Sequence, residues 1–505
     1  MPEGRDGGSY RNSRGRQRPD ARRSGDRARS ASRPSDRRRE GDPARRAAYD
    51  VARAVDRGAY ANLELPRILR NAGLEGRDAG FATELTYGGI RMRGLYDPVI
   101  ELAAGRPATQ IDPPVLDTLR LGAHQLLGMR VPSHAAASET VALARSVNGA
   151  GAAGFVNAVL RRISERTREE WVTEVTAGRD RVDALSVEYS HPGWVVRALR
   201  AALVAHGAST DETVDGDLER LLAADNDPAR VSLVARPGLA TVEELVEAGA
   251  EASSLSPLAA IMESGDPAAI AAVRQTRAAV QDEGSQLLAL ALAAATVQNP
   301  NPDGEQWLDL CAGPGGKAAL LATLAAQRGA VLFANEVSEH RTELVRKTLR
   351  AALDADVEVM VGTGDGRDLG AEEPDTYDRV LVDAPCTGLG ALRRRPESRW
   401  RRQASDVPQL SALQRELLVS GIEATRPGGV IGYATCSPHV AETQLVVDDI
   451  VGDRTDVVLE DARPLFIDAE GAPIDRLGDG PTVQLWPHIH GTDAMYFALL
   501  RKQPR

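Results

Sequence analysis

At 505 residues with a formal net charge of −11, the chain can hold roughly two to four domains, each long enough to bury a core of its own. Its 42% hydrophobic and 26% charged residues suit a globular protein, and three cysteines with no CxxC pair exclude a disulfide scaffold and argue against any metal site of the structural zinc kind. The longest largely apolar run, Leu287 to Val297, is far too short for a bilayer, and the arginine-rich start is no secretory signal, so the expected compartment is a reducing cytoplasm with no membrane partner.

In chain order, residues 1–46 hold fifteen arginines against seven acids, a surplus of +8 that leaves −19 on residues 47–505. They read as a disordered basic arm, either a polyanion-binding tail or a solvated leader. Residues 47–168 read as an all-helical domain. Ala48, Val51, Ala52 and Val55 fall at helical spacing, as do Leu116, Leu119, Ala123, Leu126 and Leu127, and then Phe155, Val156, Val159, Leu160 and Ile163. Breaks at Gly105–Pro107, Pro113–Pro114 and Asn148–Gly149 separate these helices. Residues 169–275 read as a small α/β connector. Helices near Trp194–His206 and Asp217–Ala224 precede a strand at Arg230–Ala235, and helical segments at Val242–Ala248 and Pro267–Ala279 follow.

From 276 to 505 strands and helices alternate. Strands are expected at Trp307–Cys311, Val331–Ala334, Val357–Val361, Arg379–Val382 and Val430–Ala434, with helices near 317–327, 339–353, 408–425 and 440–451. Right-handed crossovers of that length imply a largely parallel, doubly wound sheet. Later segments at Thr482–Trp486 and Ala494–Leu500 suit an antiparallel edge.

The three cysteines each fall in a short motif of this last third. The run Asp309 to Lys317 follows a strand and opens a helix, and glycines 313, 315 and 316 allow close backbone approach to a ligand at the helix N-terminus. It is not a phosphate loop, because Cys311 stands where the first glycine belongs and Ala318 where a Mg²⁺-binding hydroxyl belongs. A nucleoside joined to an amino acid suits it better. Glu336, ending the next strand, is placed for ribose hydroxyls, and Asp365 follows the third strand. Lys317 is one of only three lysines in an arginine-rich chain, so its position asks for a compact ammonium.

Asp383-Ala-Pro-Cys386 ends the fourth strand and Thr435-Cys436-Ser437 the fifth, which brings two thiols and a carboxylate to one sheet rim. A cysteine after the proline suggests covalent attack, where a stacking aromatic would suit amine methylation. Residues 393–402 carry six arginines and Trp400, a candidate phosphate clamp with a base platform.

On these motifs the C-terminal part resembles the RNA (cytosine-5)-methyltransferases that use S-adenosylmethionine. Gln281–Gln286, Cys311–Lys317, Asp383–Gly388 and Thr435–Ser437 match that family's successive motifs, while the helical part, with Val156–Arg162, is similar to NusB-type RNA-binding domains. The fusion resembles the bacterial 16S ribosomal RNA methyltransferases of the Sun/Fmu type. Glu336 departs from that family's usual aspartate, and the arginine-rich arm is extra. The resemblance implies a multidomain fold: a NusB-like all-α domain, a small α/β connector and a Rossmann-like class I methyltransferase domain. It implies S-adenosylmethionine bound by Cys311, Ala312, Gly313, Pro314, Gly315, Gly316 and Lys317, with Glu336 on the ribose, Asp365 near the adenine and Asp383 near the methionine end or the target base. Cys436 would be the nucleophile and Cys386 the residue of elimination, whereas spacing alone leaves their roles open. Lys317 is the candidate for stabilising a thiolate. The expected partner is 16S ribosomal RNA, free or in an early assembly particle. The alternatives are the same chemistry on transfer RNA or another ribosomal site, and a non-catalytic NusB-like antitermination factor.

Overall fold

In the computed structural model, residues 41–503 are described. Most of the basic arm, residues 1–40, lies outside them. The first helix, Pro43–Asp56, starts inside the stretch expected to be disordered. The cause is local: Asp42 accepts the Arg45 N–H at 2.9 Å as N-cap, and Pro43 supplies a preset φ at the first turn. Arg45 then turns inward and donates to Gln125 Oε1 at 2.7 Å.

Six further helices follow: Ala61–Asn71, Gly76–Arg91, Arg93–Ala104, Pro113–Leu127, Ser133–Val147 and Ala150–Ile163. The predicted stripes point inward, with Leu119, Val156, Leu160 and Ile163 in one core beside Leu95 and Val99. That core runs past residue 168. Trp171 and Val175 of the Arg168–Thr176 helix and Val187 of the Arg181–Glu188 helix complete it. The next two helices, Gly193–Ala205 and Val214–Ala224, instead share a core with Leu389, Leu392 and Trp486 of the C-terminal part.

A four-stranded antiparallel sheet comes next: β1 (Val231–Ala235), β2 (Glu251–Ala252), β3 (Ala259–Met262) and β4 (Ala278–Val280), in the order β2-β3-β1-β4. The helix expected over Pro267–Ala279 is not continuous. It breaks into a single turn, a four-residue helix Ala271–Arg274, and β4, because Thr276 takes a positive φ of 56° and sends the chain back along β1.

The C-terminal sheet holds β5 (Gln306–Asp309), β6 (Val331–Glu336), β7 (Val359–Thr363), β8 (Tyr377–Asp383), β9 (Thr425–Thr435), β10 (Val457–Glu460), β11 (Val483–Gln484) and β12 (Tyr496–Lys502). Its order is β10-β12-β9-β8-β5-β6-β7, with β11 paired to β12. Strands β5 to β9 run parallel and β12 is antiparallel to β9. The expected antiparallel strand over Ala494–Leu500 is therefore present but interior, buried along its whole length, and β10 forms the edge. β10 escapes a reading by periodicity because only Val457 of its four residues is buried. From β5 the chain winds outward to β6 and β7 and then returns to β8 on the other side, a topological switch point. Ligands of open α/β sheets bind outside the strand ends at such a point.

Candidate active site

Asp309 and Asp383 end β5 and β8, the neighbouring strands of the switch point. After Asp309 the chain forms a loop that opens the helix Gly316–Ala326. The Gly313 N–H donates to Glu336 Oε2 at 3.0 Å, the Ser338 N–H donates to Glu336 Oε1 at 3.1 Å, and Arg341 donates to the Gly313 carbonyl at 2.6 Å. A Cβ on Gly313 would stand 2.1 Å from Glu336 Oε2, so only glycine lets this carboxylate close on the loop. Gly315 is required by its backbone, with φ at +109° and Thr348 Cβ 2.9 Å from where its own Cβ would be. The loop, with Cys311, Ala312, Pro314, Gly316 and Lys317, makes a cradle with one carboxylate at its lip, a fitting shape and chemistry for a nucleoside's ribose hydroxyls. Gly364 donates to the Glu336 carbonyl at 3.2 Å, which brings the β7 exit and Asp365 alongside. The Asp365 carboxylate is held by Arg367 at 2.6 Å, and that bond keeps it below the usual aspartate range.

The two remaining cysteines meet. Asp383 pairs with Ala434 in the β8–β9 register, the Ala384 N–H extends that ladder to the Ala434 carbonyl at 2.9 Å, and Cys386 Sγ lies 3.4 Å from Cys436 Sγ. Within this pair, the hydrogen bond between the two sulfurs is the leading influence that holds the Cys436 thiol below its ordinary value. Lys317 and Arg395 add to it, against burial and the Asp383 charge. Cys386 is pushed well above, first by that same bond and then by burial and the Cys436 charge. Lys317 donates to Asp383 Oδ2 at 2.8 Å; burial is the largest single influence and opposes its charge, but Asp383 together with Cys436 and Asp309 holds the ammonium above the ordinary lysine range. Cys311 is not part of the thiol pair: burial first, then Asp309 and Asp383, drive its thiol well up.

Asp309 is buried with neither carboxyl oxygen hydrogen-bonded among the described residues. Desolvation, then the nearby Asp383 charge, pushes it up to about 8.

The arginine-rich segment does not form the expected phosphate clamp. Arg393 donates to the Gly491 carbonyl at 2.7 Å, and Arg394 spans Asp282 at 2.6 Å and Asp493 at 3.1 Å. Arg399, fully buried, donates to the Ser190 carbonyl and Asn226 Oδ1, and Arg401 to the Val55 carbonyl of the first helix. Trp400 is half-buried: its indole edge packs on Gly94, whose Cβ would stand 2.5 Å from it, and the Arg93 guanidinium lies over the ring at 5.9 Å. Only Arg395 is exposed, and Arg402, half-buried, donates to the Cys386 carbonyl at 3.4 Å.

Sequence reasoning missed Glu442, which is buried among Thr387, Gln414 and Ser437. It sits six residues past Cys436 in an ordinary polar stretch, and nothing in its type or spacing marks it. Arg341, which closes the glycine loop on Glu336, was missed for the same reason.

Comparison with known proteins agrees with the motifs. Residues 295–501 match the family described as 16S rRNA methyltransferase RsmB/F, and residues 42–165 match the NusB family. A Mycobacterium tuberculosis protein named as a methyltransferase is 51% identical over 465 residues, covering 91% of this chain and 97% of its own length. The ribosomal RNA small subunit methyltransferase B of Erwinia tasmaniensis is 30% identical over 464 residues, covering 90% and 98%. The crystal structure of PH0851 superposes with a TM-score of 0.73 at 23% identity, covering 91% and 98%, which places the fold. With a glycine cradle, two thiols on one rim and a helical domain in front of them, the chain belongs to the 16S rRNA methyltransferase RsmB/F family, in the form that carries an N-terminal NusB domain.

Proposed function

We propose that this enzyme transfers a methyl group from S-adenosylmethionine to carbon 5 of a cytosine in small-subunit ribosomal RNA, through a covalent cysteine adduct. The observation that carries the reading is geometric: two thiols 3.4 Å apart at the ends of the neighbouring strands β8 and β9, beside an Asp383 carboxylate held by Lys317 at 2.8 Å. Carbon 5 of cytosine is a poor nucleophile. A thiolate adding to carbon 6 converts it to an enamine carbon, and afterwards the carbon-5 proton must leave while the carbon–sulfur bond breaks.

Cys436 suits the first role, with Lys317 and Arg395 steadying its charge. Cys386 suits the second, and its pairing with Cys436 supports an order of events. While Cys436 is a thiolate, it is both the hydrogen-bond acceptor and a negative charge that hold the Cys386 proton in place. Once that sulfur is bonded to carbon 6, both influences disappear. Cys386 can then release its own proton to water and, as a thiolate, take the carbon-5 proton; the C–H electron pair reforms the carbon 5–carbon 6 double bond and the carbon–sulfur pair leaves with the Cys436 thiolate. The chemistry that S-adenosylmethionine supplies when bound is an electrophilic methyl carbon. Glu336 and Gly313 would hold its ribose, Asp365 would lie near the adenine, and Asp383, anchored by Lys317, would face the methionine end or the base. A target base in a helix must be unstacked to reach the thiols. A binding-only antitermination role has no use for the paired thiols.

The test uses the full chain and a 16S ribosomal RNA substrate. Cys386→Ser should attack and methylate but accumulate a protein–RNA complex that survives a denaturing gel. Cys436→Ser should form none and transfer no methyl group. A trapped complex with Cys436→Ser alone would exchange the roles, and normal turnover by both variants would end the thiol mechanism.

A further inference from the structure

Glu442 is a fully buried carboxylate at the end of the short turn Val440–Glu442, and the chemistry above gives it no part. Oε1 accepts the backbone N–H of Thr387 at 2.7 Å and the side-chain amide of Gln414 at 3.2 Å. Oε2 accepts the hydroxyls of Thr387 at 2.5 Å and Ser437 at 2.7 Å. Gln414 also donates to the Pro385 carbonyl at 2.9 Å, and the Tyr433 hydroxyl donates to Glu442's own carbonyl at 2.8 Å. Both neighbours of Cys386 and the residue after Cys436 are thus tied to a single carboxylate group, directly or through one amide. No cation pairs with it among the described residues, so its charge is balanced by four converging donors. A buried carboxylate is costly to desolvate, and a well-packed apolar replacement is often as stable. What an apolar side chain cannot supply is two oxygens that accept from two different loops.

We propose that Glu442 is the positioning residue of the thiol pair, clamping the Pro385–Thr387 turn of β8 to the Cys436–Ser437 turn of β9 so that the two sulfurs stay 3.4 Å apart. Its consequence for catalysis rests on the two-cysteine reading, but the clamp itself does not. Its charge, close to Cys386, is also among the influences that keep that thiol protonated.

The test separates the two. Diamide oxidises two adjacent thiols to a disulfide and is itself reduced to the hydrazine, taking up both protons and both electrons. Sulfurs held 3.4 Å apart need little movement to reach the disulfide bond length. In full-length wild-type protein the Cys386–Cys436 cross-link, read by mass spectrometry of linked peptides, should form fast. Glu442→Ala should slow it about tenfold or more, since a displacement on the order of 1 Å is enough to cost about a hundredfold in an aligned reaction. The methyl-transfer kcat should fall by a similar factor, with the KM for S-adenosylmethionine unchanged. Glu442→Gln should rescue both to within about threefold, because its oxygen can keep the Thr387 N–H while its amide donates to two hydroxyls that simply rotate. A folded Glu442→Ala that cross-links at the wild-type rate overturns the proposal. If Glu442→Ala does not fold, the decision passes to Thr387→Val with Ser437→Ala, which removes the Oε2 links and leaves the carboxylate: slower cross-linking supports the clamp, and the wild-type rate refutes it. A wild-type enzyme that cross-links under Glu442 control but leaves carbon 5 of cytosine unmethylated would sink the proposed function and spare the clamp.

Discussion

Alanine at Gly313 should destroy cofactor affinity while leaving the fold in place. The new methyl carbon would lie 2.1 Å from Glu336 Oε2 and 2.8 Å from the nearest Arg341 nitrogen. Ordinary van der Waals contact begins near 3.4 Å, so the carboxylate must retreat by more than 1 Å. Doing so breaks the 3.0 Å bond from the Gly313 N–H and takes Glu336 out of line with a ribose at the lip of the loop. The cost to the fold is small because Arg341 is half-exposed and can swing into solvent. The cost to binding is one or two charge-assisted hydrogen bonds at about 1.5–3 kcal/mol each. One such bond weakens binding roughly 10- to 150-fold. Calorimetric titration with S-adenosylmethionine measures it, with circular dichroism and a thermal melt as the check on folding. Gly315→Ala is the contrast. There φ is +109° and the obstruction includes the Val345 backbone at 3.0 Å, so it should lose stability by at least about 1–2 kcal/mol, the penalty of a left-handed residue with a side chain. Binding by folded Gly313→Ala within threefold of wild type would refute the placement of Glu336 as the ribose ligand.

Lys317→Met removes a positive influence on Cys436 and leaves Asp383 unneutralised beside it, and both changes raise the thiol; iodoacetamide labelling of Cys436 at pH 7 should slow about tenfold for each unit of rise, and an unchanged rate would remove Lys317 from the thiolate's support. Asp309, at about 8 in the folded protein against 3.8 unfolded, keeps a proton that the unfolded chain gives up, so its contribution is whole below pH 3.8 and lost as pH rises through 8. Asp309→Asn should therefore flatten the fall in stability measured by urea unfolding between pH 5 and 8.5, a fall of at most about 4 kcal/mol in that window, and a parallel fall in both proteins would contradict the buried neutral carboxyl. Among the arginines, Arg395→Ala should reduce the salt slope of RNA binding by about one phosphate contact. Arg399→Met should leave that slope alone but destabilise the protein, since it strands the Ser190 carbonyl and Asn226, each costing about 1–3 kcal/mol. Equal effects of the two on the salt slope would restore the phosphate-clamp reading.

The parts of the site that were legible in the sequence are those where backbone geometry demands a residue type. Gly313 and Gly315 are visible because a side chain there collides with Glu336 or with Val345 and Thr348, and Asp383 and Cys386 because a strand end at a switch point places them on the rim. The parallel strands β5, β6, β8 and β9 were legible because burial makes their sequences largely apolar runs, whereas β7, at the sheet edge, has no buried residue and begins two residues later than expected. Glu442 and β10 were hidden for the opposite reason. A carboxylate that accepts from two distant loops looks like any surface glutamate until those loops are brought together, and a short edge strand with one buried residue has no pattern to show.

Residues 393–402 mark the boundary of such reading most sharply, because charge density says nothing about direction. Six arginines in ten residues suit phosphates or carbonyls equally, and here most of them found protein acceptors. The outcome is structural. Arg401 and Glu397 tie this segment to the first helices, through the Val55 carbonyl and the Ala61 N–H, and Arg399 ties it to Ser190 and Asn226 behind them. One residue further on, Arg402 reaches the Cys386 carbonyl. A segment that would have held RNA loosely through its phosphates instead fixes the helical domain against the thiol loop. RNA held by that domain would then meet the two sulfurs at a set distance, with Arg395 alone of the six left exposed toward solvent.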